Sequence, residues 1–423
     1  MKAGSSPVLV VGLLLSLYCA FAILGPGNDN DTYAMLETWH SLATSFEYAP
    51  SRGPGNPLPE LTIGAAYALG GYYAANFISA ALAAATLWLW WELLSGYCPP
   101  PVRLLVLAAI GVNPTWIILA ATAMDHIYAV FFWTLGVWCL HSRRCAWAGV
   151  ALACCVASRL GYLPVCAVLF VIFPLWPAWR DPPRLSRYLA GATVFAGISL
   201  IAYLPSALHY GSVINAMRPY DPGEFQLLRH AGSFLHGNLL IWGLPSLLLL
   251  TGAALLAIRD SRLARSDHFF ISPLPTVFAA ALVYHLVLYL KFPLEWKYLL
   301  PTIPLAISVI CLLLAGPRRE GRPVQFLLGT VIGLQVLHAA VSLQVFSFAA
   351  SPAPSIDVAL TGNPVVIAGR STTGEISLGL FLKDGIILRD VLDRSSMQST
   401  HMKLYEQRRL SAHEVSHGVS SGN

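Results

Sequence analysis

The sequence contains eleven apolar stretches, separated by connections that carry most of its charged, glycine and proline residues. They lie at 8–24, 62–95, 102–121, 126–141, 145–158, 161–176, 188–205, 239–258, 273–290, 298–315 and 324–348. A helix needs about 20 apolar residues to cross a bilayer. Of all residues, 56% are hydrophobic and 11% are charged, whereas a soluble domain is about 25% charged. The chain is therefore predicted to be an all-α polytopic membrane protein with about eleven transmembrane helices, and a soluble enzyme is excluded.

The net charge of +5 is too small to indicate a nucleic-acid partner. Two stretches, 145–158 and 161–176, are shorter than an ordinary span. They fit either a pair of shallow helices that meet at Arg159 or one broken span. The distribution of arginine favours the pair.

Arginine residues occupy every second connection between the apolar stretches. Short loops rich in arginine and lysine stay on the cytoplasmic side, because the membrane potential and the anionic inner leaflet oppose their translocation. The pattern predicts a plasma-membrane protein with a cytoplasmic N-terminus and an external C-terminus. The arginines of these connections are Arg103, Arg143, Arg144, Arg180, Arg184, Arg187, Arg259, Arg262, Arg265, Arg318, Arg319 and Arg322.

This topology divides the chain into a transmembrane domain, 1–348, and an external, partly disordered tail, 349–423. Short strands are predicted in the tail near 364–368 and 386–388.

Residues 1–25 also resemble a cleavable signal peptide. Their apolar run is longer than a signal core, which favours a retained first helix. The connections predicted outside are 26–58, the turn at 121–126, the turn at Arg159, 206–238 and 291–297, together with the tail.

Two carboxylates, Asp29 and Asp31, follow the first apolar stretch. Apolar residues then recur at helical spacing over 33–48, which predicts an amphipathic helix at the membrane surface. One aspartate is sufficient to cap this helix. Two carboxylates so close together favour either a divalent-cation site or a raised pKa on one of them.

A second external segment, 51–60 (SRGPGNPLPE), is a rigid turn that carries Arg52 and ends at Glu60. Arg52 is either a headgroup-level arginine that reaches the interface or a phosphate ligand, since its guanidinium matches phosphate geometry. Further candidates are Asp125 with His126 at an external helix junction. Other external polar residues include Arg218, Arg229, Glu295 and Lys297.

Three of these motifs, in this order, resemble those of the GT-C superfamily of polytopic glycosyltransferases, which includes the protein O-mannosyltransferases and the aminoarabinose transferases. Asp29-Asn30-Asp31, followed by Tyr33, is similar to the acidic motif after the first span. The segment 51–60 resembles the R-x-P-G-x-P stretch before the second span. Residues 293–304 (PLEWKYLLPTIP) resemble the E-x-R-Y-L-L-P-x-x-P element, with Lys297 in place of the arginine.

The resemblance implies an enzyme that transfers a sugar from a polyprenyl-phosphate donor to an acceptor on the external face, with inversion. The acceptor is a lipid, a glycan or a protein, and membrane lipids surround the enzyme. Asp31 or Asp29 is implied as the base, and a divalent metal, Mg²⁺ or Mn²⁺, bound by both aspartates is left open. The implied phosphate ligands are Arg52, Lys297, Arg218 and Arg229. The implied sugar and acceptor pocket contains Tyr33, Asp125, His126, Glu295 and Glu60.

Two other functions are compatible with a polytopic chain. A secondary transporter would carry ionisable groups at the membrane midplane and paired broken helices, whereas the charges here are predicted at one face. An O-antigen ligase or polymerase would depend on arginines and a histidine in a large late loop, and 206–238 has such residues. Loss of activity on substitution of Asp29 and Asp31 would favour the GT-C reading.

Overall fold

The structure, a computed structural model, describes 6–23, 30–176, 182–212, 215, 227–259, 273–292, 296–314 and 322–344. Within these ranges all regular secondary structure is helical. Asp29, Arg218, Glu295 and the tail, including the predicted strands, lie outside the described residues, as do the side chains of Tyr33 and Arg229.

Thirteen α-helices can be delimited in the described ranges. Short 3₁₀ turns at Leu160–Tyr162 and Trp296–Leu299 precede two of them. The helices are α1 Pro7–Ala22, α2 Asn30–Ser45, α3 Pro57–Leu93, α4 Pro100–Gly111, α5 Pro114–Ala120, α6 Asp125–His141, α7 Cys145–Ser158, α8 Leu163–Leu175, α9 Pro182–His209, α10 Leu227–Arg259, α11 Leu274–Lys291, α12 Thr302–Leu314 and α13 Arg322–Gln344.

Over their described residues the predicted apolar stretches are mainly helical, but eleven membrane crossings are not confirmed. Six helical segments are long and apolar enough to span a bilayer, and a seventh results if α4 and α5, bent by 71° at their junction, are one span. Helices α1 and α7 and the segment Leu160–Leu175 are apolar but shorter. The stretches 145–158 and 161–176 form two helices, as predicted, separated by Arg159 in an extended conformation.

The helix predicted after the first span is confirmed as α2, which covers 30–45 instead of the predicted 33–48. It packs against α3, with Met35 and Leu36 buried. Gly64 of α3 permits this close approach, because a Cβ atom there would lie 2.2 Å from the Cβ of Trp39. The connection predicted at 206–238 is shorter in the structure, since α9 continues to His209 and α10 begins at Leu227.

Helix α7 packs between α6 and α9. Gly149 and Gly191 form the closest point of its contact with α9: a Cβ atom on Gly149 would lie 2.3 Å from the carbonyl oxygen of Gly191. Small residues at such crossings let helix backbones pack closely within a bilayer. This packing fixes the end of α7, and with it the position of Arg159.

A polar cluster satisfies the backbone where α10 breaks at Gly243, whose φ is 68°. Carbonyl groups freed at such a break need donors, because lipid supplies none. Asn113 Nδ2 and Gln335 Nε2 donate to carbonyls within 240–242 at 3.0 and 2.8 Å, and His338 Nε2 lies 3.1 Å from a third. His338 thus packs against the broken segment of α10.

Candidate active site

Five charged side chains meet at one end of the helix bundle. We call them the charged cluster: Asp31, Arg52, Asp125, Arg159 and Lys297. They come from α2, from the turn before α3, from the start of α6, from the connection after α7 and from the 3₁₀ turn before α12. Each of these segments belongs to a connection that the arginine pattern predicts outside.

Asp31 lies in the first turn of α2. The next residue fixes this turn in place, since Thr32 Oγ1 donates to the carbonyl of Ala123 at 3.0 Å. Asp31 Oδ2 accepts a hydrogen bond from Lys297 Nζ at 3.0 Å and forms an ion pair with Arg52 Nη1. The side chain retains 21% exposure, so a ligand can reach it.

Asp125 is the fully buried carboxylate of the charged cluster. Its Oδ2 accepts from Arg52 Nη2 at 2.5 Å, from Arg159 Nη1 at 2.8 Å and from Asn56 Nδ2 at 2.9 Å. These charge-assisted bonds compensate the cost of burying the carboxylate. Its Oδ1 receives no hydrogen bond from any residue in the described ranges.

Glu60 organises the turn that carries Arg52. Its Oε1 accepts from Ser51 N at 3.0 Å, from Ser51 Oγ at 2.6 Å and from Asn56 N at 3.0 Å, while Tyr48 donates to Oε2. The carboxylate therefore replaces the regular hydrogen bonds that this turn, rich in proline and glycine, cannot make. The predicted place of Glu60 in a sugar pocket stays a prediction.

Arg159 connects Asp125 to two aromatic rings. Its Nη1 lies 2.8 Å from His126 Nε2, and its guanidinium carbon lies 4.5 Å from the centre of the Tyr298 ring. A guanidinium only donates, so His126 Nε2 accepts, and the ring is neutral with its proton on Nδ1. The ring of His126 also meets that of Tyr298 edge to face at 5.5 Å.

The cations determine the charge state of Asp31. Burial by itself would raise its pKa, but the charges of Lys297 and Arg52 outweigh burial and hold the pKa well below the ordinary value. The pKa of Arg52 is raised, since Asp125 and Asp31 outweigh the opposing effect of its burial. Asp31 is therefore ionised at neutral pH and able to accept a proton.

The structure brings together five residues that the sequence singled out. They are Asp31, Arg52, Asp125, His126 and Lys297. Two predicted pocket or phosphate ligands, Tyr33 and Arg229, have only their backbones described, in α2 and α10.

Sequence reasoning did not assign Arg159 or Asn56 to the site. A signal for Arg159 was present: an arginine placed on the predicted external side, in a tight turn between apolar helices, opposes the usual distribution of positive charge. Such residues are functional candidates by default. Asn56 carried no comparable signal, because its partner Asp125 is brought close only by the fold.

The described residues contain no group of three or more histidine, cysteine or acidic side chains suited to a metal ion. Arg52 occupies the position between Asp31 and Asp125 that a bridging cation would need, and Lys297 and Arg159 add further positive charge. As arranged, this donor set does not fit a divalent ion. The proposed site at Asp29 and Asp31 stays a prediction, because Asp29 lies outside the described residues.

The fold is shared with a solved structure, that of ArnT from Cupriavidus metallidurans bound to undecaprenyl phosphate, at a TM-score of 0.59 and 14% sequence identity. ArnT is an aminoarabinose transferase of the GT-C type. The match covers 81% of this chain and 66% of ArnT, so the chain spans just under two thirds of that protein. No family model and no curated protein matches the sequence. The predicted all-α polytopic fold is thereby confirmed, and it is the fold of ArnT.

Proposed function

We propose that the protein is a glycosyltransferase that moves a sugar from a polyprenyl-phosphate donor to an acceptor at the external face of the membrane. The observation that carries this proposal is the charged cluster, which places an accessible, ionised aspartate beside three cations at one end of an ArnT-like bundle. The solved ArnT structure was bound to undecaprenyl phosphate, which supports a donor of this class.

Asp31 is the proposed base, with Asp29 as the alternative within the same motif. The acceptor hydroxyl gives its proton to the carboxylate while its oxygen forms a bond to the anomeric carbon of the sugar. The bond between that carbon and the phosphate oxygen breaks, and its electron pair leaves with the polyprenyl phosphate. Attack from the face opposite the leaving group inverts the anomeric centre.

The cations of the charged cluster stabilise the leaving phosphate. A donor phosphodiester has one negative charge, and the phosphate released gains a second as the bond breaks. Three cations oppose two carboxylates in the cluster, so the positive excess interacts more strongly with the transition state than with the donor. Because the leaving phosphate needs no proton, this arrangement requires no general acid.

The predicted topology is compatible with this location. All five members of the charged cluster belong to connections assigned to the external side, where donors flipped across the membrane are accessible. The proposal includes a cytoplasmic N-terminus and an external C-terminus. The arginine pattern places the N-terminus in the cytoplasm, and an odd number of spans, such as eleven, places the C-terminus on the opposite side.

A secondary transporter is less well supported, since the charges gather at one end of the bundle. The ligase or polymerase alternative rests on arginines in 206–238, and these lie outside the described residues or have undescribed side chains. Asp31 and Lys297 meet through segments unrelated to that loop. We therefore favour the GT-C reading over both.

The proposal is tested with purified protein in lipid nanodiscs, a panel of radiolabelled undecaprenyl-phosphate sugars and a membrane extract as acceptor source. We expect label transfer from at least one donor, reduced about 100-fold by D31N. E37Q is the matched control, because Glu37 is an exposed carboxylate on the same helix, and it should keep full activity. Absence of product from every donor contradicts the proposal, and full activity in both D31N and D29N removes the assigned base.

A further inference from the structure

Only one of the three nitrogen atoms of the Arg159 guanidinium forms hydrogen bonds to described residues. Its hydrogen bonds to described residues all leave from Nη1, towards Asp125 and His126. No described residue accepts from Nη2 or Nε, and neither atom is sealed from solvent. Arg159 therefore presents one free edge with two parallel donors, a geometry that matches two oxygens of a phosphate group.

This free edge is held in a fixed orientation. The guanidinium lies over the Tyr298 ring at 4.5 Å, and Asp125 and His126 restrain Nη1. The side chain retains 10% exposure, so most of its conformational freedom is already lost before a ligand arrives. A preorganised donor pair binds an anion at a lower entropic cost than a mobile surface arginine.

Arg52, unlike Arg159, has both of its terminal nitrogen atoms in ion pairs with carboxylates. Its Nη1 is paired with Asp31 and its Nη2 with Asp125. A phosphate that bound the same two nitrogens would have to displace both carboxylates, which would leave two neighbouring anions without their shared partner. Both terminal nitrogens of Arg52 are thus engaged by the two aspartates, although the resemblance implies Arg52 as a phosphate ligand.

We propose that Arg159 binds the phosphate of the lipid-linked donor directly, through its Nη2–Nε edge, and that Arg52 is a positioning residue that holds Asp31 and Asp125 in place. This assignment rests on the proposed function, since it names the ligand of the same site. The edge faces the phosphate oxygens that gain charge as the sugar leaves, so it contributes to product binding as well as to the transition state.

Two charge-conserving variants, R159K and R52K, separate the two roles. Each keeps one positive charge but loses the planar fork. Binding of undecaprenyl phosphate to the purified protein in phosphatidylcholine nanodiscs should weaken by about tenfold or more in R159K. In R52K it should change by less than about threefold, while kcat falls because the aspartates are no longer bridged. Undecaprenol, which has the same tail without phosphate, should bind all three proteins equally.

The outcomes distinguish this inference from the proposed function. Wild-type binding that R159K leaves unchanged overturns the Arg159 assignment alone, whereas wild-type protein that binds no undecaprenyl phosphate overturns both. Equal binding of phosphatidylglycerol would show that the guanidinium holds bulk lipid phosphate, which also overturns the assignment. If R159K does not fold, as judged by its melting temperature, the variant Y298L is used in its place. Y298L keeps Arg159 but removes the aromatic ring beneath its guanidinium. An unchanged affinity of Y298L for undecaprenyl phosphate contradicts the proposal.

Discussion

Lys297 and Asp31 are 266 residues apart in the sequence, and in the structure the Nζ atom of Lys297 donates to Oδ2 of Asp31 at 3.0 Å. The side chain of Lys297 is 4% exposed. A buried ammonium so placed has two consequences: it keeps the carboxylate ionised, and it contributes to the positive potential that a departing phosphate experiences.

We expect K297M to lower sugar transfer by about two orders of magnitude, equivalent to about 3 kcal/mol in the activation barrier. K297R retains the charge and should keep most of the rate. The measurement is the initial rate at saturating donor, with melting temperatures recorded to separate catalysis from folding. K291M is the control, because Lys291 is exposed at the end of α11, and a loss equal to that of K297M would disprove a specific role for Lys297.

Removing the Glu60 carboxylate should destabilise the turn that carries Arg52. E60Q replaces one acceptor oxygen with an amide donor, although the described partners of Glu60 all donate to it. Each buried group left unsatisfied costs about 1–3 kcal/mol. We expect a lower melting temperature in detergent together with reduced transfer. Y48F, which removes one donor and leaves the carboxylate intact, should have a smaller effect, and an unaltered melting temperature in E60Q would show that the turn does not depend on this residue.

The helices, the surface helix and the principal charged residues could be predicted from the sequence because their signals are local. Apolar length identifies a span, helical spacing identifies α2, and an acidic motif after the first span draws attention to Asp31. The arginine pattern also placed Arg52, Asp125 and Lys297 on one side of the membrane.

The partners of these residues could not be predicted, because they depend on how distant segments pack. The sequence indicates Arg159 only as a break between two short helices, and its place beside Asp125 follows from the packing of α7 between α6 and α9. The hydrogen bonds that Glu60 accepts from its own turn likewise have no counterpart in the sequence pattern. A sequence motif shows which residues carry charge but not which charges neutralise one another.

Sugar transfer should be insensitive to chelation. Arg52 lies between the two described carboxylates of the cluster, and a divalent cation at that point would meet strong repulsion from the three positive side chains. We expect equal rates with EDTA and with added Mg²⁺ or Mn²⁺. A loss of activity in EDTA that Mn²⁺ restores would show that Asp29 and Asp31 form a metal site after all, as the sequence allowed.

The external position of the charged cluster can be tested with two single-cysteine reporters. E37C lies on α2, the helix that carries Asp31, and S142C lies in the connection between α6 and α7 that also contains Arg143; both positions are exposed. If the arginine pattern sets the topology, a membrane-impermeant maleimide added to intact cells should label E37C and leave S142C unmodified until the membrane is permeabilised. The wild-type protein is the control for its own eight cysteines, of which six are buried and two are partly buried. Labelling of S142C but not E37C in intact cells would place the aspartates in the cytosol, where an externally presented lipid-linked sugar could not reach them.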